Sequence, residues 1–449
     1  MTAEPVGDLL AGPAIRAVEL ARVAQLHGHR AEVVTTSPTA GGAHGVPVRH
    51  VPASRLHELA TSHDVVVVGG DLLARSPRLA TGSARLVVDL YDPFHLEQLE
   101  QARHLPAERY EAVVRSCVEV LNFQLARGDY FLCASERQRD LWLGHLSALG
   151  RVGSTTYAHD PSLRRLVDVV AFGTATGPAP VPDVAGLQDV LGPEAAGVDE
   201  VVVWGGGMYE WLDPETVVRA VPQLLRRHPR AVVLFLGGTH PNADVPAMPA
   251  AARARAVAQE LGLLGRHVVM HAGWVPYDRR GPVLAACRAG VIAHPDHVET
   301  RFSFRTRLLD YVWAGLPVVS TSGDVLSGQL AVAGCATLVP PADPGALAAA
   351  LAKALTDPPS REHVLAVAAG MTWPTVAAPL LAYLDAPWRA ADLSDPAAAR
   401  RLAAGPPRLV RPGVPARVVA RVRRAAARVR PTAGRAGPQG PAPGAETHA

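Results

Sequence analysis

Short runs of β-branched and other apolar residues alternate along the chain with longer stretches whose apolar positions recur at helical spacing. That alternation predicts βαβ units and parallel sheets, an α/β fold. In the first half, strands are predicted at residues 31–36, 64–68, 86–90 and 130–133, and a further apolar run at 166–172 closes that half. Helices are predicted near 15–27, 108–126 and 136–149, with Ser135 as the N-cap of the last.

A stretch rich in Pro, Gly and Ala then reads as a linker, and the pattern restarts. Strands follow at 200–204, 231–236, 267–270, 290–293, 317–320 and 336–339. Helices are predicted at 214–228, 250–261, 279–289, 304–314, 344–356 and 373–384. The predicted organisation is a first domain over 1–172, a linker over 173–198, a second domain over 199–386 and a tail over 387–449. Two successive doubly wound sheets put a ligand cleft between domains, at the carboxyl ends of their strands. The chain opens on loop, helix, strand, whereas a doubly wound domain needs a strand before that loop. The segment TAEPVGDLL is not strand-like, so the first, central strand is expected to be missing, with the true start upstream of Met1.

Composition narrows the function. The 449 residues are 48% hydrophobic and carry a formal charge of +3, a balance that does not suggest a nucleic-acid partner. Four scattered cysteines form no C-x-x-C pair, so neither a disulfide framework nor a zinc site is expected. No apolar run reaches the roughly 18 residues that span a bilayer, and MTAEPVGDLL lacks the basic start and apolar core of a secretory signal. A cytoplasmic protein is expected. Lys353 is the one lysine, so a phosphate must be held by arginine or backbone amides. Residues 400–435 hold eleven arginines and no acid. There Val414, Val418, Val422, Ala425 and Val429 share one helical stripe, and Arg417, Arg421, Arg424 and Arg428 an adjacent one. The tail reads as largely disordered, with a second reading as a helix on the inner face of an anionic membrane.

Two motifs carry chemistry. WGGGMYEW, residues 204–211, follows the first strand of the second half. Its glycines let backbone approach a ligand closely, and the helix starting near Pro214 adds a positive dipole end. The second motif is HPDHVETRFSFRTRLLDYVWAGLPVVS, residues 294–320: strand end, loop, helix, then Gly315–Leu316–Pro317 into the next strand. Arg307 and Asp310 sit three apart and can be neighbours. Arg305 is expected in the helix's first turn, where a cation opposes the dipole unless an anion sits there too.

At these residues the chain resembles the retaining GT-B-fold glycosyltransferases of family 4 (group 1), up to about Leu384. AGPAIRAVELARVAQLHGHRAEVVT is similar to the family's opening glycine loop, helix and second strand. LLDYVWAGLPVVST is similar to its helix and Gly–x–Pro turn after the donor-binding acid, and MTWPTVAAPLLAYL to the terminal helix that crosses back to the first domain. The resemblance implies two doubly wound, Rossmann-like domains facing a cleft. It also implies transfer of a sugar from a nucleoside-diphosphate sugar to an acceptor hydroxyl. In the family, a Glu, seven residues and a second Glu bind sugar and ribose. The second falls on Asp310; the first falls on Phe302, which cannot accept a hydrogen bond, and Glu299 is the substitute.

These residues imply a donor site of Gly206, Gly207, Arg305, Arg307 and Asp310, with Glu299 and Asp310 at the chemistry. The acceptor side is assigned to Gly12, Arg16, Asp92 and His95. The chain has no D-x-D triplet, which suits a metal-independent reaction without a cofactor. A basic tail suits a lipid-linked acceptor in cell-envelope polysaccharide assembly. The rival readings are a GT-B-type epimerase and a catalytically silent scaffold.

Overall fold

Valine-rich runs make a four-stranded and a six-stranded parallel sheet, with a separate two-stranded pair, in the computed structural model. The structure describes residues 1–410, apart from 40–44, 196, 239, 243–244, 246–247, 395–399, 401, 403–404 and 408. The two arginine and valine stripes of the tail lie outside the described residues.

The N-terminal sheet contains β3 (Val65–Gly69), β4 (Arg85–Asp89), β5 (Tyr130–Cys133) and β6 (Val167–Val169), all parallel and in that order. β1 (Val33–Thr35) and β2 (Val48–His50) form a separate parallel pair. Between the two groups runs the start of the chain. The Thr2 amide donates to the Val34 carbonyl (2.8 Å), and Thr36 donates back to the Thr2 carbonyl (3.1 Å). On the other side the Met1 ammonium donates to the Val67 carbonyl at 2.7 Å. The slot of a central strand is thus taken by two residues. Burial lowers the Met1 amine to about 6.

The C-terminal sheet has six strands: β7 (Val201–Trp204), β8 (Val232–Phe235), β9 (Val268–Met270), β10 (Ala289–Ile292), β11 (Val318–Thr321) and β12 (Ala336–Val339). Their order is β12-β11-β10-β7-β8-β9, all parallel. Every residue of β7, β8, β10 and β11 is buried, as a sheet covered by helices on both faces requires. The order reverses between β7 and β10. Such a switch point opens a crevice at the carboxyl ends of the two strands.

Helix boundaries depart from the sequence expectation where local chemistry intervenes. The predicted helix at 304–314 is shortened to Arg307–Trp313, and a separate short helix, Val298–Phe302, capped by His297, precedes it. The terminal helix splits into Trp373–Val376 and Ala378–Asp385. Pro379 has no N–H to offer the Thr375 carbonyl, which accounts for the break. Helices Phe94–Gln101 and Val325–Val332 stand outside the sequence expectation.

The chain passes between the halves at residue 173 and returns near 372, and the two passages are hydrogen-bonded. Thr174 donates to the Met371 carbonyl (2.8 Å), and Trp373 donates to the Thr174 carbonyl (3.1 Å). Beyond the return, Tyr383 stacks on Tyr130 of β5 with ring centroids 4.7 Å apart, and Trp388 meets both rings edge-on.

Arg16, expected to face the cleft, is instead a buried fastener of the N-terminal sheet. Its Nε and Nη2 grip Asp89, at the end of β4, at 2.6 and 2.9 Å. The same guanidinium donates to the Val170 and Ala171 carbonyls just beyond β6. Only 1% of Arg16 is exposed. Removing one partner of such a pair strands the other charge, at about 3–5 kcal/mol. Arg16→Met is therefore expected to lower the melting temperature sharply, and Arg16→Met with Asp89→Leu to recover part of the loss, since the Val170 and Ala171 carbonyls still lack their donor; both are read by thermal denaturation.

Candidate active site

The crevice is built from a tyrosine pressed into glycines. Tyr311 lies on helix Arg307–Trp313 with its ring over Gly290 of β10; a Cβ at Gly290 would fall 2.3 Å from that ring. The Tyr311 hydroxyl donates to the Val291 carbonyl (3.0 Å) and accepts from the Gly205 amide (2.7 Å). One side chain therefore ties the glycine turn after β7 to β10 across the switch point. The turn also lies against backbone. A Cβ at Gly237, beyond β8, would fall 2.1 Å from the Gly206 carbonyl carbon.

Arg307 opens the same helix. Its Nη2 donates to the Gly207 carbonyl (2.9 Å), and its guanidinium lies 5.0 Å from the Trp204 ring centroid. Its Nη1 is buried with no hydrogen-bond partner among the described residues. Burial, foremost among the causes, draws the Arg307 pKa below its ordinary value. A cation with an unpartnered N–H at a glycine turn can donate a charge-assisted hydrogen bond to an anion. Asp310, one turn on, accepts from Arg280 Nη2 at 2.9 Å rather than from Arg307. Burial raises the Asp310 pKa, against Arg280 and Arg307.

Three donor-side expectations change. Arg305 precedes the helix rather than sitting in its first turn, and the anion it meets is Glu299. Two hydrogen bonds of 2.8 and 2.6 Å join them, with 1% of Glu299 and 7% of Arg305 exposed. Both charges are thus engaged within the chain. Gly206 spends its amide on the Trp204 carbonyl (3.1 Å). The start of helix Pro214–Leu224 is occupied by Asp213, whose carboxylate accepts from the Thr216 amide (2.9 Å), so its dipole end is already capped. Phe302 contributes its backbone: Gln138 of the N-terminal half donates to the Phe302 carbonyl (2.8 Å) and to that of Tyr91 (2.9 Å).

On the opposite wall, Gly12 begins the first helix beside Tyr91. Asp92 is half-buried and hydrogen-bonded to Glu97, a residue that sequence reasoning passed over. Burial pushes the Asp92 carboxyl up to about 6; Glu299 and Asp89 add to the rise, and Glu97 and Arg305 oppose it. Burial, then Asp92 and Glu299, raises Glu97 well above its ordinary value. The spacing Asp-x4-Glu across a helix start was the available signal. His95 turns the other way, 5.6 Å from the Trp142 ring, and burial lowers it to about 4. Tyr209 and Trp211 after the glycine turn are stacked, 4.6 Å apart and 4° from parallel. Glu97 and Asp92 both act electrostatically on Tyr209, as does Arg307. The structure thus brings together Arg307, Asp310, the glycine turn and the Asp92–Glu97 pair. It withdraws Arg16 and His95, and commits Glu299 and Arg305 to each other.

Residues 199–357 match the family described as glycosyl transferases group 1. No curated protein matches the chain by sequence. Among solved structures, Anabaena HepE in complex with UDP-glucose is 15% identical, with a TM-score of 0.58 over 86% of this chain and 98% of that one. Sucrose-phosphate synthase from Thermosynechococcus elongatus is 16% identical, with a TM-score of 0.55 over 85% of this chain and 95% of that one. WaaG, a glycosyltransferase involved in lipopolysaccharide biosynthesis, is 16% identical, with a TM-score of 0.50 over 90% of this chain and all of that one. The chain has the GT-B fold of these glycosyltransferases, and the segment that builds its β7 to β12 sheet carries the match to the glycosyl transferases group 1 family.

Proposed function

We propose that the protein is a glycosyltransferase that moves a sugar from a nucleoside-diphosphate donor to an acceptor hydroxyl. One observation carries the reading: a buried arginine with an unpartnered nitrogen stands at the glycine turn of the switch point, within the segment that matches the family. Charge builds on the departing diphosphate as the glycosidic bond breaks. Arg307 faces that place with its geometry already fixed, so little reorganisation is needed as the charge develops. Asp310 is assigned the ribose diol, which one carboxylate can accept from twice. The chain has no D-x-D triplet, and the arginine supplies the charge that a metal ion supplies elsewhere, so the reaction is proposed to need no metal. Retention of anomeric configuration follows from the resemblance to family 4. HepE, whose structures hold UDP and UDP-glucose, supports a uridine donor as the first to try.

The Asp92–Glu97 pair forms the acceptor side in this reading, beside Gly12. Two carboxyls with raised pKa values receive and orient hydroxyl groups well, since one holds a proton to donate while the other accepts. WaaG's involvement in lipopolysaccharide biosynthesis supports a cell-envelope acceptor, including a lipid-linked one, approached from the inner face of the membrane through the basic tail. Among the described residues no helix is long and apolar enough to cross a membrane.

The catalytically silent scaffold draws on a different observation: Glu299, the substitute for the missing first glutamate, is locked to Arg305. A nucleotide-sugar panel separates the two. Slow release of nucleoside diphosphate from one donor supports the enzyme, and neither binding nor turnover across the panel supports the scaffold. Within that panel, Arg307→Ala is expected to weaken nucleoside-diphosphate binding about 10- to 100-fold, the worth of a charged hydrogen bond. Asp310→Ala is expected to abolish binding of the nucleotide sugar by calorimetry, and unchanged affinity would reject its role. The carboxyl pair makes a pH prediction. Groups whose folded pKa is raised hold their proton better folded than unfolded. The contribution of Asp92 is full below about pH 4 and is lost as pH rises through about 6, and that of Glu97, raised well above its ordinary value, is lost as pH rises further. Glu97→Gln removes one ionisation, so its melting temperature should fall less than the wild type's between about pH 5 and 8.

A further inference from the structure

The first helix, Gly12–Leu26, ends in the tripeptide His27–Gly28–His29. Gly28 takes φ +99°, donating to the Gln25 carbonyl, while His29 donates to the Ala24 carbonyl, both at 3.0 Å. This left-handed helix stop turns the chain so that both imidazoles face the same way. They converge on Asp385, the last residue of the helix that returns from the C-terminal half. His27 Nε2 lies 3.2 Å from one carboxylate oxygen and His29 Nε2 lies 3.3 Å from the other. The three ligand atoms all fall within 4.8 Å of one another.

From this geometry we infer a binding site for a first-row divalent transition metal, of the zinc class, held by His27, His29 and Asp385. Each imidazole faces its own oxygen of Asp385, at 3.2 and 3.3 Å, close to the edge of about 3.3 Å between a nitrogen and an oxygen ligand of tetrahedral zinc. The donor set, two imidazoles and one carboxylate, suits zinc, cobalt or nickel rather than magnesium or calcium. His29 Nε2 is shielded from solvent and makes no well-formed hydrogen bond with the carboxylate it faces, as a lone pair directed at a metal would. The partial negative charge at the end of a fifteen-residue helix adds to the attraction for a cation. Asp385 and His27 are exposed, leaving room for water as the fourth ligand. The helix runs about 22 Å from Gly12 at the cleft to this end, so the ion stands apart from the reaction. It fastens the returning helix to the N-terminal half.

The test uses the full-length protein, free of any affinity tag and stripped with a chelator. Cobalt(II) is titrated while the visible spectrum is followed, and zinc(II) is titrated by calorimetry and by thermal shift. One equivalent of cobalt is expected to give a tetrahedral-type visible band that zinc abolishes, with a rise in melting temperature under zinc. His29→Ala and Asp385→Asn should each remove the band and weaken zinc binding at least about tenfold, while their metal-free melting temperatures stay near the wild type's. Absence of saturable binding overturns the site. So does binding that both variants retain, which would leave Asp385 as a plain hydrogen-bonding partner of two histidines.

Discussion

The Tyr311 hydroxyl bridges two strands that do not bond to each other at their ends. β7 and β10 are in register at residues 202–203 and 289–290, and beyond that the sheet opens into the crevice. There the tyrosine takes over, with one hydrogen bond to each side. Its ring fits because Gly290 has no side chain, and the turn it holds lies flat because Gly237 has none either. Arg307 and Asp310 are four residues and one residue before it on the same helix. Their positions relative to the glycine turn are therefore set by the same contact.

Much of this was legible in the chain. Strands 130–133 and 336–339 and helix 344–356 follow from apolar runs ended by turn residues, and the doubly wound order follows from their alternation. The helix carrying Arg307 and Asp310, with its Gly–Leu–Pro end, was marked by periodicity. What escaped were the partners. A sequence shows that Arg305 and Glu299 are both charged, but not that a short helix and the turn after it fold them into one bidentate pair. Arg16 looked like a cleft residue because it opens a helix after a glycine loop, yet one helical turn was enough to swing it onto Asp89. His27 and His29 drew no notice, since their third partner lies 356 positions after His29. In each case pattern gave the element, and the side chain's partner came from elsewhere in the fold.

The cleft sorts its charges into two groups. Some are neutralised within the chain: Arg16 by Asp89, Arg305 by Glu299, Asp310 by Arg280. These set the shape of the walls and hold the strand ends in register. Others keep unmet capacity: Arg307 Nη1 has no hydrogen-bond partner among the described residues, and burial raises both Asp92 and Glu97. Arg307 is on the C-terminal wall and the Asp92–Glu97 pair on the N-terminal wall. A polar molecule lying between them, anionic at one end and rich in hydroxyls at the other, would meet both demands at once.

The hydrogen-bonded meeting of residues 174 and 372 has a mechanical meaning. A protein whose halves are joined by one tether can twist, slide and tilt around it. Here both covalent passages run through a single parallel bridge, with Gly173 packed so closely on Trp373 that a Cβ would fall 2.7 Å from its amide nitrogen. Two passages bonded side by side constrain shear and torsion more than a single tether does, and rotation about the bridge is the movement they oppose least. Any such rotation that parts the walls must also break the hydrogen bond from Gln138 to the Phe302 carbonyl.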